Sequence, residues 1–315
     1  MPRKAKVVRL RRDLPATWQE ALEEFLVLKR AQGAAPRTLK DYQAHVTRFF
    51  SRYPDCWPGG VKRAALDYMA QDASPAYYNL KREYLGAFFA WCVREGLLSE
   101  NPLAALRKKR TEGREVALDA ETLTRLLALP DQSRFAGLRD FALLCLQLDT
   151  GLRPSEALAL LPRDFNLRTL EVTVRAEAAK TRLARTLPIS PATAEAVAKL
   201  LAARPQSWGP KTPVFCTEDG RKMSPWTWTW RMAQYSQKLG VKVRPYDLRH
   251  AFALEYLRRG GSALALQKTL GHRDLTMTKR YVALTQQDLR EEHSKASPLA
   301  ALLPRRTRVR KLMTQ

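Results

Sequence analysis

One run in this chain cannot be core. Residues 104 to 115 (AALRKKRTEGRE) hold few apolar anchors and a dense patch of Lys and Arg. On both sides of it apolar residues recur at helical spacing. A break of this kind predicts an exposed tether between two separately cored domains. At 315 residues the chain is long enough for each domain to bury its own core.

The first domain, residues 13 to 103, reads as all helix behind a basic arm at residues 1 to 12. Residues 17 to 31 are amphipathic, with Trp18, Ala21, Phe25, Leu26 and Leu28 supplying the apolar face. Pro36 opens a second helix that carries Tyr42, Val46, Phe49 and Phe50. Pro54, Pro58, Gly59 and Gly60 make a loop. A short helix over 61–70 and a longer one over 75–96 complete the unit.

The second domain, residues 116 to 295, is mostly helix with one β-hairpin, so the fold class is mainly α. Asp119 caps a helix running to Leu129. Residues 136 to 148 form a strongly apolar helix that ends at Asp149-Thr150-Gly151, and Ser155 and Glu156 open the next. TLEVTVR at 169–175 alternates as a strand does, and LARTLPI at 183–189 is its mate. Helices are expected over 191–203, 224–239, 247–258 and 262–270, with a short strand at Val214-Phe215-Cys216. Trp226, Trp228 and Trp230 have strand-like spacing, but Ser224-Pro225 ahead of them is a helix start. A short helical segment over 275–283, a polar helix over 284–295 and a basic tail over 296–315 follow. The tail carries Leu299, Leu302 and Leu303 before RRTRVRK.

The charge narrows the partners. There are 55 Lys and Arg against 31 Asp and Glu, a net of +24. Such an excess points to a polyanion, and to nucleic acid before an anionic membrane. No apolar run has transmembrane length, and MPRKAKVVRLRRD lacks the apolar core of a leader, so a cytoplasmic, nucleoid-associated protein is expected. Cys56, Cys92, Cys145 and Cys216 have no metal-ligand spacing, and no carboxylate cluster is spaced to hold a cation. No metal and no cofactor are expected.

The chemistry-bearing stretch is YDLRHAFALEYLRRGGSALALQKTLGHRDLTMTKRY, from Tyr246 to Tyr281. Tyr246 and Arg249 are three apart at a helix start, His272 follows a Leu-Gly pair, and Tyr281 lies nine residues further on. An Arg, a His and a Tyr brought together suit attack on phosphorus, with the Tyr as nucleophile and the cations neutralising the non-bridging oxygens. Upstream stand DTGLRPSEAL at 149–158, with Arg153 in a helix-linked turn, and a basic turn at Ala179-Lys180-Thr181-Arg182 between the two strands. Glu156 reads as structural support, placed to receive a salt bridge or a backbone N–H and hold the Arg153 turn.

In order and spacing these motifs resemble the catalytic domain of the tyrosine recombinases, the phage-integrase family, over about residues 115 to 290. The resemblance extends more weakly to the N-terminal domain, through Ala35-Pro36-Arg37-Thr38-Leu39 and Asn101-Pro102-Leu103. It implies an all-helical core-binding, SAM-like domain followed by a catalytic domain in which Arg153, Lys180, Tyr246, Arg249, His272 and Tyr281 act on duplex DNA. The usual residue at position 246 is His; a Tyr there can still donate to phosphate but is a poor base at neutral pH. Arg37, Lys40, Lys81, Arg82 and Arg182 are the candidate DNA-binding residues. The resemblance further implies a homo-oligomer on double-stranded DNA, a dimer per site and a tetramer in synapsis, with accessory DNA-binding proteins as further partners and no membrane. The tail at 296–315 is expected to dock on a neighbouring protomer. Two other readings stay open at this point. One is a type IB topoisomerase, which shares the tyrosyl chemistry; the other is a DNA-architectural protein without catalysis.

Overall fold

In the computed structural model, which describes residues 14–111, 118–179, 182–272 and His293, the chain divides into two units, Met1–Arg114 and Glu115–Gln315. Each has its own hydrophobic core.

The first unit is helical: α1 (Trp18–Ala31), α2 (Pro36–Arg52), α3 (Val61–Ala70) and α4 (Pro75–Arg94). Local chemistry sets the helix starts. The Thr17 hydroxyl accepts from the Glu20 amide while the Glu20 carboxylate accepts from the Thr17 amide, a reciprocal cap. Pro36 and Pro75 sit at first positions, where the missing N–H costs nothing. The core is aromatic: Phe25, Phe49, Phe50, Phe88 and Phe89 are fully buried. Phe25 meets Phe88 edge-on at 5.5 Å, and Trp18 stacks on Phe50 at 4.9 Å. Cys92 lies among them, and burial pushes its thiol up to about 12, so it is an inert core residue.

The second unit is built on α6 (Phe135–Thr150), which packs against α8 (Pro191–Ala202) and α10 (Pro245–Arg258). Among the described residues the other α-helices of this unit are α5 (Ala120–Ala128), α7 (Pro154–Ala157), α9 (Pro225–Leu239) and α11 (Ala263–Leu270). Its sheet is antiparallel with three strands, β1 (Phe165–Asn166), β2 (Glu171–Val174) and β3 (Arg185–Pro188), in that order. The register pairs Phe165 with Val172, Val172 with Leu187, and Val174 with Arg185. Val172, Val174 and Leu187 turn inward to the core. The molecule is thus mainly helical with a small antiparallel sheet.

Three local expectations change. A third strand exists, but it is two residues long and follows a tight turn at Pro162–Asp164. Too little of it alternates for periodicity to register. Val214-Phe215-Cys216 is not a strand. Cys216 makes one isolated bridge to Lys222, and the Val214 amide donates instead to the Leu160 carbonyl at 2.9 Å. The helix opened by Ser155 and Glu156 is a single turn. The expected arm, the segments over 275–283 and 284–295 (apart from His293) and the basic tail lie outside the described residues. Among the described residues no helix is long and apolar enough to cross a membrane, and no group of three or more His, Cys, Asp or Glu is placed to hold a metal ion.

A buried charge network braces this unit. Asp140 is fully buried on α6 and accepts from Arg139 at 2.7 Å, from Arg231 at 2.6 Å and from the Tyr235 hydroxyl at 2.8 Å. Burial and the Asp140 charge push the Tyr235 phenol up, so it stays a donor. Arg139 also donates to the Cys216 carbonyl at 3.0 Å. Helices α6 and α9 and the 216 loop are therefore fixed by groups that need one another.

Candidate active site

Two helix ends aim carbonyls at one place. Helix α6 ends at Gly151 and α11 at Gly271, both left-handed, with φ of 62° and 64°. Glycine adopts that conformation at little cost. At 151 there is also no room: a Cβ would lie 2.3 Å from Phe252 Cδ1.

Arg249, one turn into α10 and 1% exposed, reads both ends. Its Nη1 donates to the Gly151 carbonyl at 2.7 Å and its Nη2 to the Leu270 carbonyl at 2.9 Å. The same Nη2 lies 2.9 Å from His272 Nε2. A guanidinium only donates, so Nε2 accepts here and the imidazole proton resides on Nδ1. Arg153 arrives from the turn before α7. Its Nη1 donates to Glu156 Oε1 at 3.0 Å and reaches the Leu270 carbonyl at 3.4 Å. Two guanidiniums from distant parts of the chain thus share one carbonyl, two residues before His272.

Glu156 is fully buried beneath them. It accepts from the Arg153 amide at 3.2 Å and from Arg185 Nη2 at 2.7 Å. Burial alone would raise its pKa; Arg185 and Arg153 outweigh burial and hold the carboxyl below its ordinary value. It is therefore an anion that fixes two guanidiniums. Arg153 and Arg185 pair with this carboxylate and Arg249 lies at the Leu270 carbonyl that Arg153 also reaches, so the cluster carries an excess of positive charge suited to a phosphodiester.

Sequence reasoning missed Arg185. In the strand RTLP it shares the inward side with the buried Leu187. A charged residue in step with core residues was the available signal, since it requires a buried counter-charge.

The other expected site residues are placed as follows. Tyr246 is 42% exposed, with its ring 5.3 Å from that of His250 and 6.0 Å from the Arg249 guanidinium. Lys180 and Tyr281 lie outside the described residues. The Arg182 amide donates to the Ala179 carbonyl at 3.0 Å, and Arg182 is exposed at φ 56°. Arg37 and Lys40 are exposed on α2, and Arg37 pairs with Asp41 at 3.0 Å. Arg82 is half-buried and donates to the Leu106 carbonyl at 2.6 Å. Lys81 departs from the expectation of a surface charge. It is 2% exposed, donates to the Tyr68 carbonyl at 2.9 Å and lies over the Tyr68 ring at 4.5 Å. Desolvation, then the charges of Lys109 and Arg52, lower its pKa. Its ammonium braces α4 against α3 rather than facing outward.

Comparison with known proteins places the chain among relatives. A family model described as "Phage integrase family" matches residues 117–288. The chain is 33% identical over 302 residues to tyrosine recombinase XerC of Rhodospirillum centenum, covering 89% of this chain and 87% of the relative. It is 29% identical over 293 residues to tyrosine recombinase XerC of Shewanella amazonensis, covering 90% and 97%. Among solved structures, the Tn1549 transposon integrase in complex with circular intermediate DNA superposes with a TM-score of 0.70 over 88% of this chain and 99% of that one. Its 19% identity makes this a likeness of fold.

Proposed function

The chain belongs to the phage-integrase family of tyrosine recombinases, and from that premise we propose that it cuts and rejoins specific sites in duplex DNA through a 3'-phosphotyrosyl intermediate on Tyr281. The Tyr281 hydroxyl attacks one backbone phosphorus, and the bond from phosphorus to the 5' oxygen breaks. The phenolic proton passes to His272 or to solvent, and Lys180 supplies a proton to the departing 5' oxygen. The phosphotyrosyl link retains the bond energy, so a partner strand's 5'-hydroxyl reverses the step without a nucleotide cofactor. Strand exchange of this kind serves integration and excision or the resolution of dimers.

One observation carries the reading: Arg153 and Arg249 meet at the Leu270 carbonyl with His272 beside them. Two planar forks converging on one oxygen suit the two non-bridging oxygens of a phosphodiester. They meet developing negative charge with fixed donors, the term that most often dominates such barriers. Tyr246 lies at the rim and adds a positional hydrogen bond rather than a base.

In this reading the helical N-terminal unit is the core-binding domain. Arg37, Lys40, Arg82 and Arg182 contact phosphates, and Lys81 acts as an internal brace. The partner is double-stranded DNA, bound by a dimer at each site and by a tetramer in synapsis, with accessory DNA-binding proteins as further partners. The basic tail joins neighbouring protomers.

The test is a duplex nicked close to the cleavage point, so that the short fragment bearing the new 5'-hydroxyl is lost after attack. Wild-type protein is expected to leave a covalent band on a denaturing gel, and Tyr281→Phe none. Relaxation of supercoils without recombinant product would select the topoisomerase reading. Tight binding without a band would select the architectural one.

A further inference from the structure

Helix α11 ends in carbonyls that have no partner within the helix itself. Two are met by the turn that follows. The Lys268 carbonyl accepts from the Gly271 amide at 3.0 Å and the Gln267 carbonyl from the His272 amide at 3.1 Å. The last two go to arginines. Arg249 and Arg153 share the Leu270 carbonyl, and Arg185 Nε donates to the Thr269 carbonyl at 3.1 Å. The carbonyl end of a helix is partly negative, so cations suit it.

Of the three, Arg185 comes from the sheet. It pairs with Val174 across β2 and β3, and its side chain is 12% exposed. Its Nη2 lies 2.7 Å from Glu156 Oε2, on the carboxylate whose other oxygen holds Arg153 at 3.0 Å. Its guanidinium also lies against Gly271, where a Cβ would fall 3.2 Å from Cζ. One planar group is thus wedged between the carboxylate behind Arg153 and the backbone that leads to His272.

We propose that Arg185 is a positioning residue that sets the spacing between the Arg153 turn and the His272 loop, and so keeps His272 against Arg249. The proposal deepens the recombinase reading and rests on it.

The chemistry of the contacts favours placement over simple stabilisation. Among the described residues Arg185 Nη1 is buried without a hydrogen-bond partner. Leaving a buried donor unmet costs stability, so this guanidinium is held for where its other two nitrogens point. A planar fork serves Glu156 and Thr269 at once; an ammonium is a single compact donor on a flexible stem and cannot fix the same angle. Arg185→Lys therefore keeps a cation opposite Glu156 and releases Thr269. Arg249 and Arg153 still grip Leu270, so the helix end stays docked while its angle is freed. The expected defect is one of alignment.

Two measurements test this. The first needs no DNA. His45, His250, His272 and His293 are the four histidines, so nitrogen-15 labelling of histidine gives a spectrum simple enough to assign, with His272→Gln identifying the signals of residue 272. At about pH 8 an ordinary imidazole is neutral. Wild-type His272 should carry its proton on Nδ1, with Nε2 shifted as an acceptor, because Arg249 donates to it. In Arg185→Lys both signals are expected to move towards those of a solvated imidazole, which carries its proton mainly on Nε2. The second measurement is single-turnover adduct formation on a nicked duplex, selected for binding to the full chain from a random-sequence pool. Arg185→Lys should be slower by about ten- to a hundredfold, the range that a small misplacement costs, with DNA affinity unchanged. Thermal unfolding is recorded for both proteins.

Unchanged His272 signals in Arg185→Lys, or adduct formation at the wild-type rate, overturns the proposal while leaving the recombinase reading standing. A wild-type spectrum with the proton on Nε2 does the same. Unfolding of Arg185→Lys also overturns it, because Arg185 would then serve the fold as a whole. If wild type forms no adduct, the recombinase reading falls and the proposal with it, whatever the histidine signals show.

Discussion

The two units of this chain are held together by different physics. The N-terminal core is a cluster of aromatic rings, and its ion pairs, such as Arg37–Asp41 and Lys62–Glu100, lie on the surface. The C-terminal core is largely Leu, Val and Ala, and threaded through it are the buried charges Arg139, Asp140, Glu156, Asp164, Asp247 and Arg249. Exposed pairs contribute little to stability. Buried ones are seldom kept for stability, since a well-packed apolar replacement often does as well. The lesson is that buried charge in the second unit marks where directions matter more than burial. Asp140 braces helices away from the cluster around Arg249, whereas Glu156 orients the guanidiniums of the candidate site.

Stability changes should be the largest, and they test the contrast in both units. Phe88→Ala removes a ring packed against Phe25, Phe50 and Trp91 and is expected to cost about 3–5 kcal/mol. Asp140→Ala should cost a comparable 3–5 kcal/mol for a different reason, because Arg139 is left buried without its counter-charge. Urea unfolding followed by near-UV circular dichroism measures both. A mild loss for Asp140→Ala would dissolve the distinction between the units.

Next in size is the rate effect of Arg249→Ala, expected to raise the barrier by about 3–4 kcal/mol, or hundreds-fold in adduct formation. Single-turnover cleavage checks it, with DNA affinity measured alongside. A variant that still binds DNA but cleaves at the wild-type rate would remove Arg249 from the chemistry.

Glu156→Gln gives a smaller, pH-dependent signal. The folded pKa of Glu156 lies below its ordinary value of 4.5, so its charge stabilises the fold above that pH. The benefit is lost as pH falls through the lower folded value. The urea midpoint of wild type should therefore exceed that of Glu156→Gln at neutral pH, and the gap should close on acidification below 4.5. A constant gap would mean that the charge of Glu156 contributes nothing. Smallest of all, Tyr246→Phe should slow cleavage by no more than about tenfold, within the range of one lost hydrogen bond, and leave the melting temperature unchanged. Its 42% exposure is the reason. Abolition of cleavage would give Tyr246 a chemical role.

Local signals were legible in the sequence. Asp119 and Ser224 each accept from an amide three residues on, and each marked a helix start. The Ser224 cap also settled the Trp triplet. On a helix, positions two apart lie on opposite sides, so Trp228 is buried and donates to Gln147 at 2.8 Å while Trp226 and Trp230 are exposed. Arg153, Arg249 and His272 stood in motifs whose spacing is chemical.

What stayed hidden depends on contacts between distant segments. Arg185 gains its meaning from Glu156 and Thr269, which no local pattern connects to it. Lys81 looks like any solvated charge on a helix, until α3 brings the Tyr68 carbonyl over it. The Cys216 bridge and the two-residue β1 are too short for alternation to reveal. Periodicity reports one element's own sides; a buried cation is explained only by its partner.

The most direct measurement is the identity of the residue that becomes joined to DNA. After reaction with a nicked duplex, protease digestion and mass spectrometry of the DNA-linked peptide should find the phosphate on Tyr281. A link at Tyr246 or any other side chain, or a protein that stays unmodified on a duplex it binds tightly, would contradict the convergence of Arg153, Arg249 and His272 on a phosphate attacked by that tyrosine.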